Sequence, residues 1–232
     1  MNIGIIVAMS SEQKQLAKEL TDKSECQIGN FSYLVGKREN NTFILVQAGI
    51  GKVNAAVGAM ELISNFHPDC IISTGVAGGI DTCLNVMDVV VSEEIVYHDV
   101  WCGEGNAYGQ VQGMPATFKG NETLYKVAMS LDTDTAIHGG LICSGDKFIT
   151  DRSALDEIKS KFPNGLAVEM ESGAIAQVCY LYNIPFLSFR IISDTPGATK
   201  DHAAQYQNFW GEMANRSFHV TQAFLHALPS KL

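Results

Sequence analysis

Short apolar runs, each ended by glycine or a polar turn, recur along the chain. Ile3–Val7, Asp69–Thr74, Val86–Val91, Ile95–Tyr97, His138–Ser144, Leu166–Val168 and Pro185–Ile192 are of strand length. Runs without polar alternation are expected of strands covered on both faces. Phe31–Val35 and Thr42–Gln47, joined through Glu39-Asn40-Asn41, predict a hairpin. Helical spacing fills the intervals. Glu12–Leu20 follows a candidate capping box of Ser10 and Gln13, and a second helix runs past Lys52 through Met60, Leu62 and Ile63. Asn121–Leu131, Ser153–Phe162 and the small-residue run from Ser172 to Leu181 are further helices. Ala203–Leu228 predicts a long closing helix with Phe209, Met213, Phe218 and Phe224 on one side. Buried strands alternating with helices predict an α/β fold. No linker, repeat or low-complexity tract interrupts residues 1–232, so a single domain is expected. The stretch from His98 to Phe118 lacks either periodicity. Its Trp101 and Tyr108 mark it as a pocket or interface loop.

Composition narrows the partners. Apolar residues make up 46% of the 232 positions, enough for a substantial core, and the net charge of -9 disfavours nucleic acid. Six cysteines lie scattered without a CxxC pair, as reduced thiols of a cytoplasmic protein would. No apolar stretch reaches membrane-spanning length, and Met1–Val7 lacks the features of a secretion signal.

The polar residues that carry chemistry stand where strands end, the edge at which open α/β sheets bind ligands. Glu12 follows the first strand, Glu169-Met170-Glu171 follows Leu166–Val168, and Asp194 follows the last strand. A helix dipole alone could account for Glu12, Glu169 or Glu171 taken singly. A mixed sheet would bring Glu12, Glu171 and Asp194 to one edge, near Met9, Met170 and Phe148. No histidine stands near them at metal-ligand spacing, so no metal is expected. Converging carboxylates suit acid/base cleavage of a glycosidic bond; spacing leaves N- and O-glycosides both open. Gly49-Ile-Gly-Lys52 looks like a phosphate loop but fails both patterns. Val46 and Val53 stand where the triphosphate loop needs Gly and Ser or Thr, and Asn54 replaces the third glycine of the dinucleotide loop. Gly75-Val-Ala-Gly-Gly79 is either a tight turn or a close backbone approach to a ligand.

Taken together, Ile3–Glu12, Ala48–Ala56, Ser73–Gly79, Ser144–Ile149, Ala167–Glu171 and Ile192–Asp194 resemble the 5′-methylthioadenosine/S-adenosylhomocysteine nucleosidases of the purine nucleoside phosphorylase superfamily. The resemblance implies a three-layer α/β/α sandwich with a mixed central sheet, a homodimer, and a purine nucleoside and water as reactants without a cofactor. It also implies roles. Glu12 would activate water, and Asp194, assisted by Ser193, would protonate the purine N7 with a raised pKa. Glu171 would hold the ribose hydroxyls over Met170. Phe148 would stack on the base while the Ile149 backbone reads its edge. Arg190 and Glu169 would support the site, and Met9, Ile50, Val76 and Tyr206 would line it. Val76 replaces an expected small polar residue, and Trp101 or Tyr206 would have to supply an aromatic missing at the 5′ end. A phosphate-dependent phosphorylase, a nucleosidase for futalosine or another purine nucleoside, and a non-catalytic nucleoside sensor are the alternatives.

Overall fold

The structure, a computed structural model, describes residues 1–195, Phe209 and residues 214–232. The described strands are β1 (Asn2–Val7), β2 (Thr21–Ile28), β3 (Phe31–Arg38), β4 (Asn41–Gln47), β5 (Cys70–Gly79), β6 (Val89–Tyr97), β7 (Phe118–Lys119), β8 (Ile137–Ser144), β9 (Gly165–Glu169) and β10 (Phe186–Asp194). The described helices are α1 (Ser10–Ala17), α2 (Lys52–Phe66), α3 (Glu122–Met129), α4 (Arg152–Lys161), α5 (Ser172–Tyr182) and α6 (Ala214–Ala227).

All ten strands belong to one mixed sheet. β1 lies parallel between β4 and β5, and β5 lies parallel to β10. β10 pairs antiparallel with β6, which runs parallel to β8; β8 runs parallel to β9. β9 then returns to β5 through Gly78↔Val168 and Gly79↔Ala167. Half of the sheet therefore closes on itself as β5–β10–β6–β8–β9, while β1, β4, β3 and β2 extend from it as an open wing.

Two large apolar clusters flank the sheet. One packs Ala55, Ala59 and Leu62 of α2 with Ile175 and Cys179 of α5 against Ile44, Val46 and Ile71. The other packs Leu16 of α1, Leu124 of α3 and Phe224 of α6 against Ile5, Leu45 and Phe189. Phe189 and Phe224 stack in parallel with centroids 4.8 Å apart. The helices thus form the outer layers of an α/β/α sandwich. A smaller cluster seats Leu155 and Ile158 of α4 on Cys143 and Val168.

Several elements differ from the sequence reading. α1 starts at Ser10 behind Met9, and Glu12 rather than Gln13 receives the Met9 amide, at 2.9 Å. The predicted runs Val86–Val91 and Ile95–Tyr97 meet in the single strand β6, which begins only at Val89 and has a register shift between Ser92 and Glu94 against β8. Gly75–Gly79 is not a turn after a strand, because β5 runs through it to Gly79. β2 was not foreseen: its residues are nearly all exposed, and its pairing is an edge-strand ladder with β3. The closing helix is described from Ala214; its expected beginning, including Met213, lies outside the described residues apart from the buried Phe209. No described helix is long and apolar enough to cross a membrane.

Candidate active site

The C-terminal ends of β1, β5, β9 and β10 meet at a cleft that opens to solvent. Met9, Glu12, Ile50, Val76, Phe148, Ile149, Glu169, Met170, Glu171, Arg190, Ser193 and Asp194 line it. Every candidate site residue from the sequence except Trp101 and Tyr206 is therefore in one cleft, Tyr206 lying outside the described residues. Trp101 does not line it; its ring stacks on Tyr108 with centroids 6.1 Å apart. Ala8, Ala77, Gly78, Lys147 and Val168 complete the lining and were not foreseen.

Arg190 anchors the charges. It is 1% exposed in the middle of an apolar strand, so the surrounding groups must satisfy its guanidinium. Strand register explains how they do. In the β5–β10 pairing Ser188 lies opposite Ser73 and Arg190 lies opposite Gly75, all on matching alternation. Nη2 lies 2.7 Å from Ser73 Oγ, 3.0 Å from Ser172 Oγ and 2.8 Å from Glu169 Oε2, while Nε donates to Ser188 Oγ at 3.2 Å. Nη1 is 3.8 Å from Glu171 Oε2. These serines had no foreseen role. A lone arginine within Phe186–Ile192 was the available signal, since a buried guanidinium requires acceptors on its neighbours.

Glu169 is a buried partner of Arg190, not a surface residue complementing a helix. Its Oε2 also accepts the amides of Glu171 and Ser172 at the start of α5, at 3.0 and 2.8 Å. Glu171 is the N-cap residue of α5, and its Oε1 accepts the Gly51 amide at 3.1 Å. Burial, with the Glu169 charge adding to it, pushes the Glu171 carboxyl up to about 7, against the opposing pull of Arg190.

Glu12 is 1% exposed and held by three amides. Oε2 accepts from Ala8 and Met9 at 3.0 and 2.9 Å, and Oε1 from Val76 at 3.3 Å. Burial nevertheless raises its pKa, because it outweighs Arg190 and those hydrogen bonds. Gly75 makes the arrangement possible. A Cβ there would stand 2.4 Å from Glu12 Oε1 and 2.9 Å from Arg190 Nη1, at a φ of +151°. Asp194, the last residue of β10, is buried with Ser193 Oγ 2.7 Å from its Oδ1. Phe148 follows the end of β8 with 59% of its surface exposed, presenting a ring to the cleft.

The cleft therefore combines four carboxylates with two described cations, Arg190 and Lys147. Such a site can hold a proton on one carboxyl and leave another ionised to accept one. No group of three or more metal-ligating side chains occurs among the described residues.

The phosphorylase superfamily profile matches residues 2–226. A 5′-methylthioadenosine/S-adenosylhomocysteine nucleosidase of Anoxybacillus flavithermus is 39% identical over 98% of this chain and 99% of its own length. The chain belongs to this nucleosidase family. Solved structures agree. The Colwellia psychrerythraea nucleosidase in complex with adenine superposes with a TM-score of 0.93 at 34% identity, over 100% of this chain and 97% of that one. The Streptococcus pneumoniae nucleosidase with a transition-state inhibitor, MT-ImmA, gives 0.92 at 37%, over 99% and 100%. The nucleosidase fold thus accounts for the mixed sheet and for the strand ends that converge on the cleft.

Proposed function

We propose that the chain hydrolyses the N-glycosidic bond of 5′-methylthioadenosine and S-adenosylhomocysteine, releasing adenine and the thio-substituted ribose. The observation that carries this is the placing of Glu12, Glu171 and Asp194 around one cleft whose buried arginine is already engaged by carboxylates and hydroxyls. Glu12 deprotonates the attacking water, its oxygens aimed by the Ala8, Met9 and Val76 amides. Glu171 accepts the ribose hydroxyls above Met170 and opposes the positive charge that grows on the sugar. Asp194, with Ser193 beside it, delivers a proton to N7 of the departing base. Phe148 stacks on the purine, the Ile149 backbone reads its edge, and Met9, Ile50 and Val76 border the sugar and its 5′ substituent. Arg190 and Glu169 hold Glu171 in place.

Hydrolysis is favoured over phosphorolysis on charge. Arg190 has its donors directed at Ser73, Ser172, Ser188, Glu169 and Glu171, so it offers phosphate little. Four carboxylates in the lining repel an anion and tolerate water.

The proposal extends to a single-domain, cytoplasmic homodimer. Support for the dimer comes from Ile50, Val53 and Val57, exposed by 53, 75 and 46% beside the cleft, an apolar strip that a second copy would cover. A monomeric mass by light scattering would remove that part. The catalytic assignment is tested by Glu12→Gln and Asp194→Asn, each measured by adenine release. Turnover is expected to fall by roughly 10²–10⁴-fold with the melting transition retained. A near-normal rate in either variant removes that residue from its role.

A further inference from the structure

The Gly49-Ile-Gly-Lys52 motif fits no phosphate loop, yet it occupies the junction between the two halves of the cleft. Gly51 donates its amide to Glu171 Oε1 at 3.1 Å, and the next amide, Lys52, donates to Asp146 Oδ1 at 2.7 Å. A Cβ on Gly51 would lie 3.0 Å from Asp146 Oδ1, at a φ of +91°, so only glycine lets the chain pass this close. The Lys52 ammonium then turns to Asp99, 3.0 Å from both carboxylate oxygens, and lies 4.0 Å from Asp146 Oδ2. Asp99 closes the circuit by accepting the Asp146 amide at 2.8 Å. Asp146 lies at the start of the irregular segment 145–150, next to Gly145, and this segment carries Phe148 and Ile149 into the cleft without helix or strand.

We infer that Lys52 is a positioning residue: through Asp99 and Asp146 it locks the base-binding segment to the same turn of chain that holds the sugar carboxylate. Lys52 does not line the cleft. Its ammonium neutralises two carboxylates that would otherwise repel each other and release the segment. The inference rests on the proposed hydrolysis, but adenine binding tests it without turnover.

The test uses Lys52→Met, which keeps the apolar stem, Lys52→Arg, Asp146→Ala and the Lys52→Met/Asp146→Ala pair, in the full-length protein. Adenine affinity is measured by calorimetry, and methylthioadenosine kinetics by adenine release. Lys52→Met and Asp146→Ala are each expected to weaken adenine binding and raise KM about tenfold, with kcat within about threefold. The pair should be no worse than either single change, and Lys52→Arg should recover most of the affinity. Unchanged adenine affinity in Lys52→Met, additive losses in the pair, or a fall in kcat alone would overturn the inference. If Lys52→Met does not fold, Asp146→Ala and Lys52→Arg still decide it by adenine affinity. Wild-type protein that binds adenine but hydrolyses nothing would instead overturn the proposed activity.

Discussion

Glu171 illustrates how a single residue trades stability for chemistry. Its carboxyl is pushed up to about 7 in the folded chain from an ordinary value near 4.5, mainly by burial and then by Glu169. Folding therefore takes up a proton between those values. Stability falls as pH rises from about 4.5 to about 7, and the loss is complete above that. Glu12 shifts in the same direction by the same cause. Glu171→Gln keeps an acceptor for the Gly51 amide and discards the buried charge. At pH 8 it is expected to be more stable than wild type by on the order of 2 kcal/mol, or roughly 4–8 °C, with no gain near pH 4.5. Thermal melts at the two pH values check this; equal gains at both would mean the buried charge is not the cause. In the wild type, kcat/KM should decline as pH drops below about 7, where Glu171 gains a proton.

At the scale of elements, β5 decides whether the site can form. It continues through Gly75 to Gly79, so its backbone, not a turn, faces β10 at Arg190. Gly75→Ala would drive a methyl group into Glu12 and Arg190. It is expected to lower activity at least 100-fold and to destabilise the fold by about 1–3 kcal/mol. Activity assays and denaturant titration check both; an active Gly75→Ala protein would mean that Glu12 and Arg190 need not sit so close. Such cross-strand demands explain what the sequence could and could not reveal. Glu12, Glu171 and Asp194 were legible because each breaks an apolar pattern at a strand end. Ser73, Ser172 and Ser188 were not, since a serine's partners depend on which strands become neighbours. β2 escaped notice because an exposed edge strand has no apolar period. The closure of β9 onto β5 escaped because only two residue pairs make it. The segment beyond Thr195, with Tyr206, lies outside the described residues up to Ala214, apart from Phe209.

Across the whole molecule, charge and topology point the same way. The chain carries a net charge of -9, and four of its carboxylates line the cleft around an arginine committed to its neighbours. The closed half of the sheet supplies the rigid strand ends, and the segments that follow β1, β8 and β9 supply side chains that line the cleft. A neutral nucleoside and water suit that field, whereas a phosphate dianion does not. The most direct measurement of this central claim is the initial rate of adenine release from 5′-methylthioadenosine, first with phosphate rigorously absent and then with phosphate saturating. The expected result is an equal rate in both, with the free sugar as co-product. A rate that requires phosphate and yields a sugar 1-phosphate would contradict it.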